Sequence, residues 1–196
     1  MNLVNAYKKM YTVKIAYYDW YHSASWITKT GLSLGIALIT GIAAQLRVPL
    51  PFTPVPVTAQ VFTVLLAGIF LGSFYGGMSM LLYLLFGFAG IPWFTNAAAG
   101  SAIGPTTGYL IGFVPAAIFL GHVVMKHRIA KRFFPLIGLM IAAVGIIYLC
   151  GALNFALFMG TSLKQTLIMA VFPFIPFDIA KAMIAASCAR TLLPQH

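Results

Sequence analysis

The chain has 196 residues, of which 61% are hydrophobic and 7% charged, with a mean hydropathy of +0.96. Soluble domains carry roughly 25% charged residues, so the composition excludes one and calls for a membrane as solvent. The net charge of +10 is no nucleic-acid signature, because eight of the twelve Lys and Arg lie in the first thirty residues or in "KHRIAKR" (126–132) and no recognition module accompanies them.

Residues 1–29 combine Tyr7, Tyr11, Tyr17, Tyr18, Trp20, Tyr21 and Trp26 with Lys8, Lys9, Lys14 and Lys29. Aromatic rings among ammonium groups suit the headgroup layer, so this segment is expected to lie along the membrane surface and bind lipid. Residues 30–196 are expected to form one all-α domain of six transmembrane helices, since apolar runs of about 18 residues read as spans. The first runs from Thr30 to Leu46 and leads into the proline-rich loop "RVPLPFTPVP". The second covers Val57 to Leu71, and a "GSFYGG" turn connects it to the third, Phe74 to Ala89. The loop "GIPWFTNAAAGSAIG" (90–104) precedes the fourth span, Pro105 to Met125. The fifth covers Phe134 to Met159, and the sixth runs from Leu167 to Leu193 with a proline interruption.

Placing both termini in the cytoplasm puts nine Lys and Arg inside and two, Arg47 and Lys164, outside. That is the bias cytoplasmic loops show. It gathers the first, third and fifth loops on the outer face. Two of them are apolar and rich in Pro or Gly, as a cap over a pocket would be. Cys150 and Cys188 read as buried free thiols, and neither they nor the four histidines show metal-ligand spacing.

The chain has two acidic residues, and one of them, Asp178, lies in the apolar run "VFPFIPFDIAKAM" with Lys181 three positions on. Pro173 and Pro176 disfavour α geometry at Phe172 and Ile175, so the backbone there is expected to be extended or broken. Broken backbone at membrane depth is tolerated where protein buries it or where it lines a cavity. A helix restarting at Pro176 sets Asp178 near its N-terminus, where the dipole favours a carboxylate, and Lys181 on the same face. Each charge costs about 2.5–3.5 kcal/mol at a bilayer centre on insertion scales. A salt bridge would offset that cost, but apolar residues would avoid it, which favours use of the pair in binding. Carboxylate and ammonium together suit a neutral group that both donates and accepts hydrogen bonds, such as a cyclic urea. Gln60, Thr58, Tyr83, Tyr109, Tyr148 and Asn154 are the other polar residues of the spans that bear on such a site.

The runs "LPFTPVPVTAQVFTVLLAGIFLG" (50–72), "LLYLLFGFAGIPWF" (81–94), "GPTTGYLIGF" (104–113) and "PFIPFDIAKA" (173–182) resemble the BioY family. These are the substrate-binding S-components of biotin transporters of the energy-coupling-factor type. The resemblance covers about residues 30–192 and implies a six-helix protein of the cell membrane that binds biotin near the outer face. It implies that Asp178 and Lys181 contact the ureido ring, with Gln60 and Tyr109 on matching polar positions. Phe52 and Trp93 on the capping loops are expected to pack the thiophane ring, with Asn154 nearby. Asn96 and backbone N–H groups of the third loop are expected to take the carboxylate, with Arg47 as the cationic alternative. Phe177 stands where the family usually has Gly and is expected to reshape the pocket floor. The resemblance further implies docking on a transmembrane coupling subunit through small residues of the first helix, here Gly31 with Gly35 and Ala37 with Gly41.

The chain has no G-x-x-x-x-G-K-[ST] loop, so ATP chemistry falls to ABC-type ATPase partners and the chain needs no cofactor of its own. A proton- or ion-coupled carrier acting alone, with Asp178 titrating, is the competing reading. An intramembrane enzyme lacks a nucleophile–base pair, and a scaffold would bind no ligand.

Overall fold

The computed structural model describes residues 16, 19–94 and 103–192. The elements, in chain order, are α1 (Trp26–Gln45), β1 (Arg47–Leu50), β2 (Thr53–Thr58), α2 (Gln60–Phe88), α3 (Thr107–Lys126), a 3-10 turn (Arg128–Lys131), α4 (Phe133–Met159), α5 (Leu163–Ala170) and α6 (Ile175–Leu192). Helices α1, α2, α3 and α4 are each long and apolar enough to cross a membrane, and α5 with α6 meets that test only as a pair, bent by 49° between them. The expected all-α architecture holds apart from the small hairpin β1–β2.

That hairpin replaces the expected loop and delays the second helix, which begins at Gln60 and not at Val57. Pro49, Pro51, Pro54 and Pro56 cannot sustain a helix interior but fit a two-stranded ribbon with no further strand to satisfy. The strands pair antiparallel with Arg47 opposite Thr58 and Val48 opposite Val57, and the register slips between Val48 and Leu50. Thr53, Val55 and Val57 alternate inward along β2, as a period of two requires. Val55 and Val57 join the core.

Helix α2 is two arms. Gly72 has φ +71° and ψ −170°, backbone that a residue with a Cβ rarely adopts. The chain reverses there: Gln60 Nε2 lies 2.7 Å from the Tyr83 hydroxyl, 23 residues later, a gap that a straight helix would stretch to roughly 35 Å. The helices expected at Val57–Leu71 and Phe74–Ala89 correspond to the two arms of α2, with the reversal at Gly72. At the same turn a Cβ on Gly121 of α3 would lie 2.4 Å from the Gly72 carbonyl carbon, so α3 packs directly on the reversal.

The break before α6 is a run of turns over residues 171–174, not extended chain, and Ile175 is already helical. Ser162 caps α5 with Gln165 in a reciprocal capping box, so the helix starts at Leu163, earlier than the Leu167 expected from hydropathy. Cys150 is half-buried and Cys188 exposed, neither in a disulfide, which corrects the expectation of two buried thiols.

Candidate functional site

The break between α5 and α6 opens onto a compact cavity of about 50 Å³, smaller than the roughly 300–1,000 Å³ usual for small-molecule sites. β2 supplies Val55, Pro56, Val57 and Thr58, and the start of α2 supplies Gln60 and Val61. Thr106, Tyr109, Leu110 and Phe113 line it from α3 and its N-cap, Ile147 and Tyr148 from α4, and Phe174, Asp178 and Lys181 from the break and α6. Most of these side chains are apolar, and the few polar ones converge.

Asp178 is 4% exposed and sits in the first turn of α6. Its Oδ1 accepts from Lys181 Nζ at 2.7 Å, and its Oδ2 accepts from the Tyr148 hydroxyl at 2.6 Å. One helical turn separates Asp178 from Lys181, so the ion pair forms within a single helix face. Tyr148 reaches it from α4, thirty residues away in sequence. The carboxylate keeps further lone pairs and the ammonium keeps two N–H donors, so both can still serve a ligand.

On the opposite wall Gln60 donates to Tyr83, which is fully buried. Tyr109 donates to the Ala170 carbonyl, the last of α5, which has no helical N–H to accept from. Gly151 makes room for that ring, since a Cβ there would lie 2.3 Å from it. Among the described residues no buried side-chain nitrogen or oxygen lacks a hydrogen-bond partner. The polar groups are thus held in place before any ligand arrives, which lowers the ordering cost of binding.

The cavity unites Asp178, Lys181, Gln60 and Tyr109 and leaves out three other expected residues. Phe52 is on the hairpin turn, 54% exposed. Trp93 is buried behind the site, its indole N–H donating to the Tyr83 carbonyl and its ring filling the space beside Gly41. Asn154 donates to the Gly104 carbonyl and so fastens the chain leading into α3. Asn96 lies outside the described residues. Arg47 is exposed on β1, and Phe177 is half-exposed and off the cavity, because the helical turn that points Asp178 inward points its neighbour out. Tyr148 and the apolar lining from β2 and α3 complete the site. Tyr148 was visible in the sequence only as one of several polar residues in the spans.

On α1, Ala37 and Gly41 face inward, while Gly31 and Gly35 have open space where a Cβ would stand. The four expected docking residues therefore divide between the core and an open face.

The sequence model of the BioY family matches residues 16–195. A probable biotin transporter BioY of Methanothermobacter thermautotrophicus is 41% identical over 143 residues, covering 67% of this chain and 89% of that protein. The biotin transporter BioY of Thermotoga maritima is 35% identical over 149 residues, covering 74% and 85%. Among solved structures, the S-component for biotin from an ECF-type ABC transporter superposes with a TM-score of 0.76 at 26% identity, covering 85% of this chain and 90% of that one.

Proposed function

The chain belongs to the BioY family, and on that premise we propose that it is a multi-pass membrane protein that captures biotin for uptake. One observation carries the reading of the site: a buried carboxylate with an ammonium at 2.7 Å, set in an otherwise apolar cavity at a helix break. The ureido N–H groups of biotin would donate to Asp178 and its oxygen would accept from Lys181, with Tyr148 holding the carboxylate from behind. Val57, Val61, Leu110, Phe113 and Phe174 are better placed than Phe52 and Trp93 to pack the thiophane ring. Asn96 stays the proposed partner of the biotin carboxylate on sequence grounds alone.

Counting the two arms of α2 separately, with α5 and α6 as one broken span, gives six crossings. Both termini would then lie in the cytoplasm, with the cavity nearer the outer face, as the Lys and Arg bias supports. The segment before α1, most of which lies outside the described residues, would anchor at the inner surface, with Trp20 and Trp26 exposed at its junction with α1. Release inside would draw on a transmembrane coupling subunit with ABC-type ATPases, docked at the open face around Gly31 and Gly35.

Equilibrium binding of radiolabelled biotin to the purified protein, wild type beside Asp178→Asn, tests this. Saturable wild-type binding should weaken by about 30-fold or more in the variant, since truncating a buried charge pair costs roughly 2–5 kcal/mol. Equal binding by the two proteins would reduce the Asp178–Lys181 pair to a structural role. No binding by folded wild type would end the biotin reading.

A further inference from the structure

A second opening lies behind the first. Between α4 and α6, Ile141, Val144, Gly145, Ile175 and Ile179 line a crevice whose inner wall is Tyr148 and Asp178, the same pair that walls the ligand cavity. Val144 floors it and is buried, whereas Gly145 is exposed with no heavy atom within 4 Å of where its Cβ would be. Ile141 to Tyr148 occupy the centre of the 27-residue α4, which is about 40 Å long and the most apolar of the candidate spans. At that level a hydrocarbon core of roughly 30 Å surrounds the helix. Water does not fill an aliphatic cleft there, and a headgroup does not reach it.

We propose that this crevice seats a lipid acyl chain, which backs the Tyr148–Asp178 hydrogen bond from the membrane side. The chain contributes dispersion contacts to Ile141, Val144 and Ile179 and closes the lipid-facing side of the only acidic residue in the spans. It also keeps the tyrosine ring pressed toward the carboxylate. Because one wall serves both cavities, occupancy of the crevice and of the ligand site are linked, and the linkage is reciprocal. The coupling half of this proposal rests on the biotin reading, and the seat does not.

Photolabelling in nanodiscs of palmitoyl-oleoyl phosphatidylcholine, doped with a phosphatidylcholine carrying a mid-chain diazirine, decides the seat. Mass spectrometry should find label on buried Val144 as well as on exposed Leu149 and Leu153, and Gly145→Leu, which fills the crevice, should remove the Val144 label alone. Label confined to the exposed leucines overturns the seat, as does crosslinking of the crevice to a second copy of the chain. The coupling is read from biotin affinity in the same bilayer and in diphytanoyl phosphatidylcholine, whose methyl-branched chains are bulkier. Wild type should bind about fivefold more weakly in the branched bilayer, near the lower end of measured couplings, while Gly145→Leu binds equally in both. Equal wild-type affinity in the two bilayers overturns the coupling. Absence of saturable biotin binding would count against the transport reading, and the Val144 label would still decide the seat.

Discussion

The chain breaks its helices at two places inside the bundle, at Gly72 and at residues 171–174, and the two breaks are handled in opposite ways. At each, a tyrosine from elsewhere in the chain donates to the carbonyl just ahead of the break. Tyr21 donates to the Leu71 carbonyl at 2.8 Å, and Tyr109 donates to the Ala170 carbonyl. Beyond that the breaks diverge. Around Gly72 the space is closed: Ser33 donates to the Tyr75 carbonyl, Met125 packs where a Cβ would go, and Gly121 presses on the turn. Around residues 171–174 the prolines hold the chain open, and the gap is lined by a charge pair. Irregular backbone at membrane depth must be buried or line a cavity, and this molecule does one of each. The open break has the room and the charge that the proposed binding role requires.

The sealed break should be the more fragile in folding and the open one in binding. The largest expected effect is that of Gly72→Val. A β-branched residue at φ +71° is strained by roughly 1–3 kcal/mol, and its side chain would overlap the Met125 sulfur, 2.1 Å from a built Cβ. Thermal unfolding in detergent should show a loss of several degrees or more, while the folded fraction keeps wild-type biotin affinity. Lost affinity at unchanged stability would break the division between the two sites. Next comes Tyr148→Phe, which removes one of the two donors to Asp178. A hydrogen bond to a charged group is worth about 1.5–3 kcal/mol, so biotin should bind roughly 10- to 100-fold more weakly at near-normal melting temperature. An affinity within twofold of wild type would show that Lys181 alone positions the carboxylate.

The order and rough limits of the helices were legible because hydropathy reports the solvent around a segment, and here that solvent is hydrocarbon. Asp178 and Lys181 stood out for the same reason, being expensive where they are. The hairpin was not legible: four prolines exclude a helix but do not choose between loop and ribbon. Tyr148 was hidden among nine tyrosines, since its role arises from the packing of α4 on α6 and nothing within its own helix marks it. Trp93 and Phe52 were assigned to the ligand by their position on capping loops. Yet Trp93 turns to Tyr83 and Gly41, and Phe52 is carried outward by the turn of the hairpin. Loop side chains take their direction from backbone torsions that composition does not specify.

The smallest effect is expected from Tyr21→Phe, and it separates the breaks most cleanly. Tyr21 is 6% exposed, and Lys29 stands 5.3 Å above its ring. The phenylalanine keeps the ring and the cation contact but leaves the Leu71 carbonyl one donor short. That should cost about 1 kcal/mol, a typical net value for one hydrogen bond, read as a shift of a few degrees in melting temperature. Biotin affinity should stay within twofold, because the Gly72 turn meets α3 at Gly121 and Met125, near the opposite end of that helix from the cavity-lining Tyr109 and Leu110. Tyr109→Phe makes the same chemical change at the other break, and there the ring itself lines the cavity. If both variants lowered affinity alike, the two breaks would be mechanically joined through α2 and α3, and the sealed one would belong to the transport cycle as much as the open one.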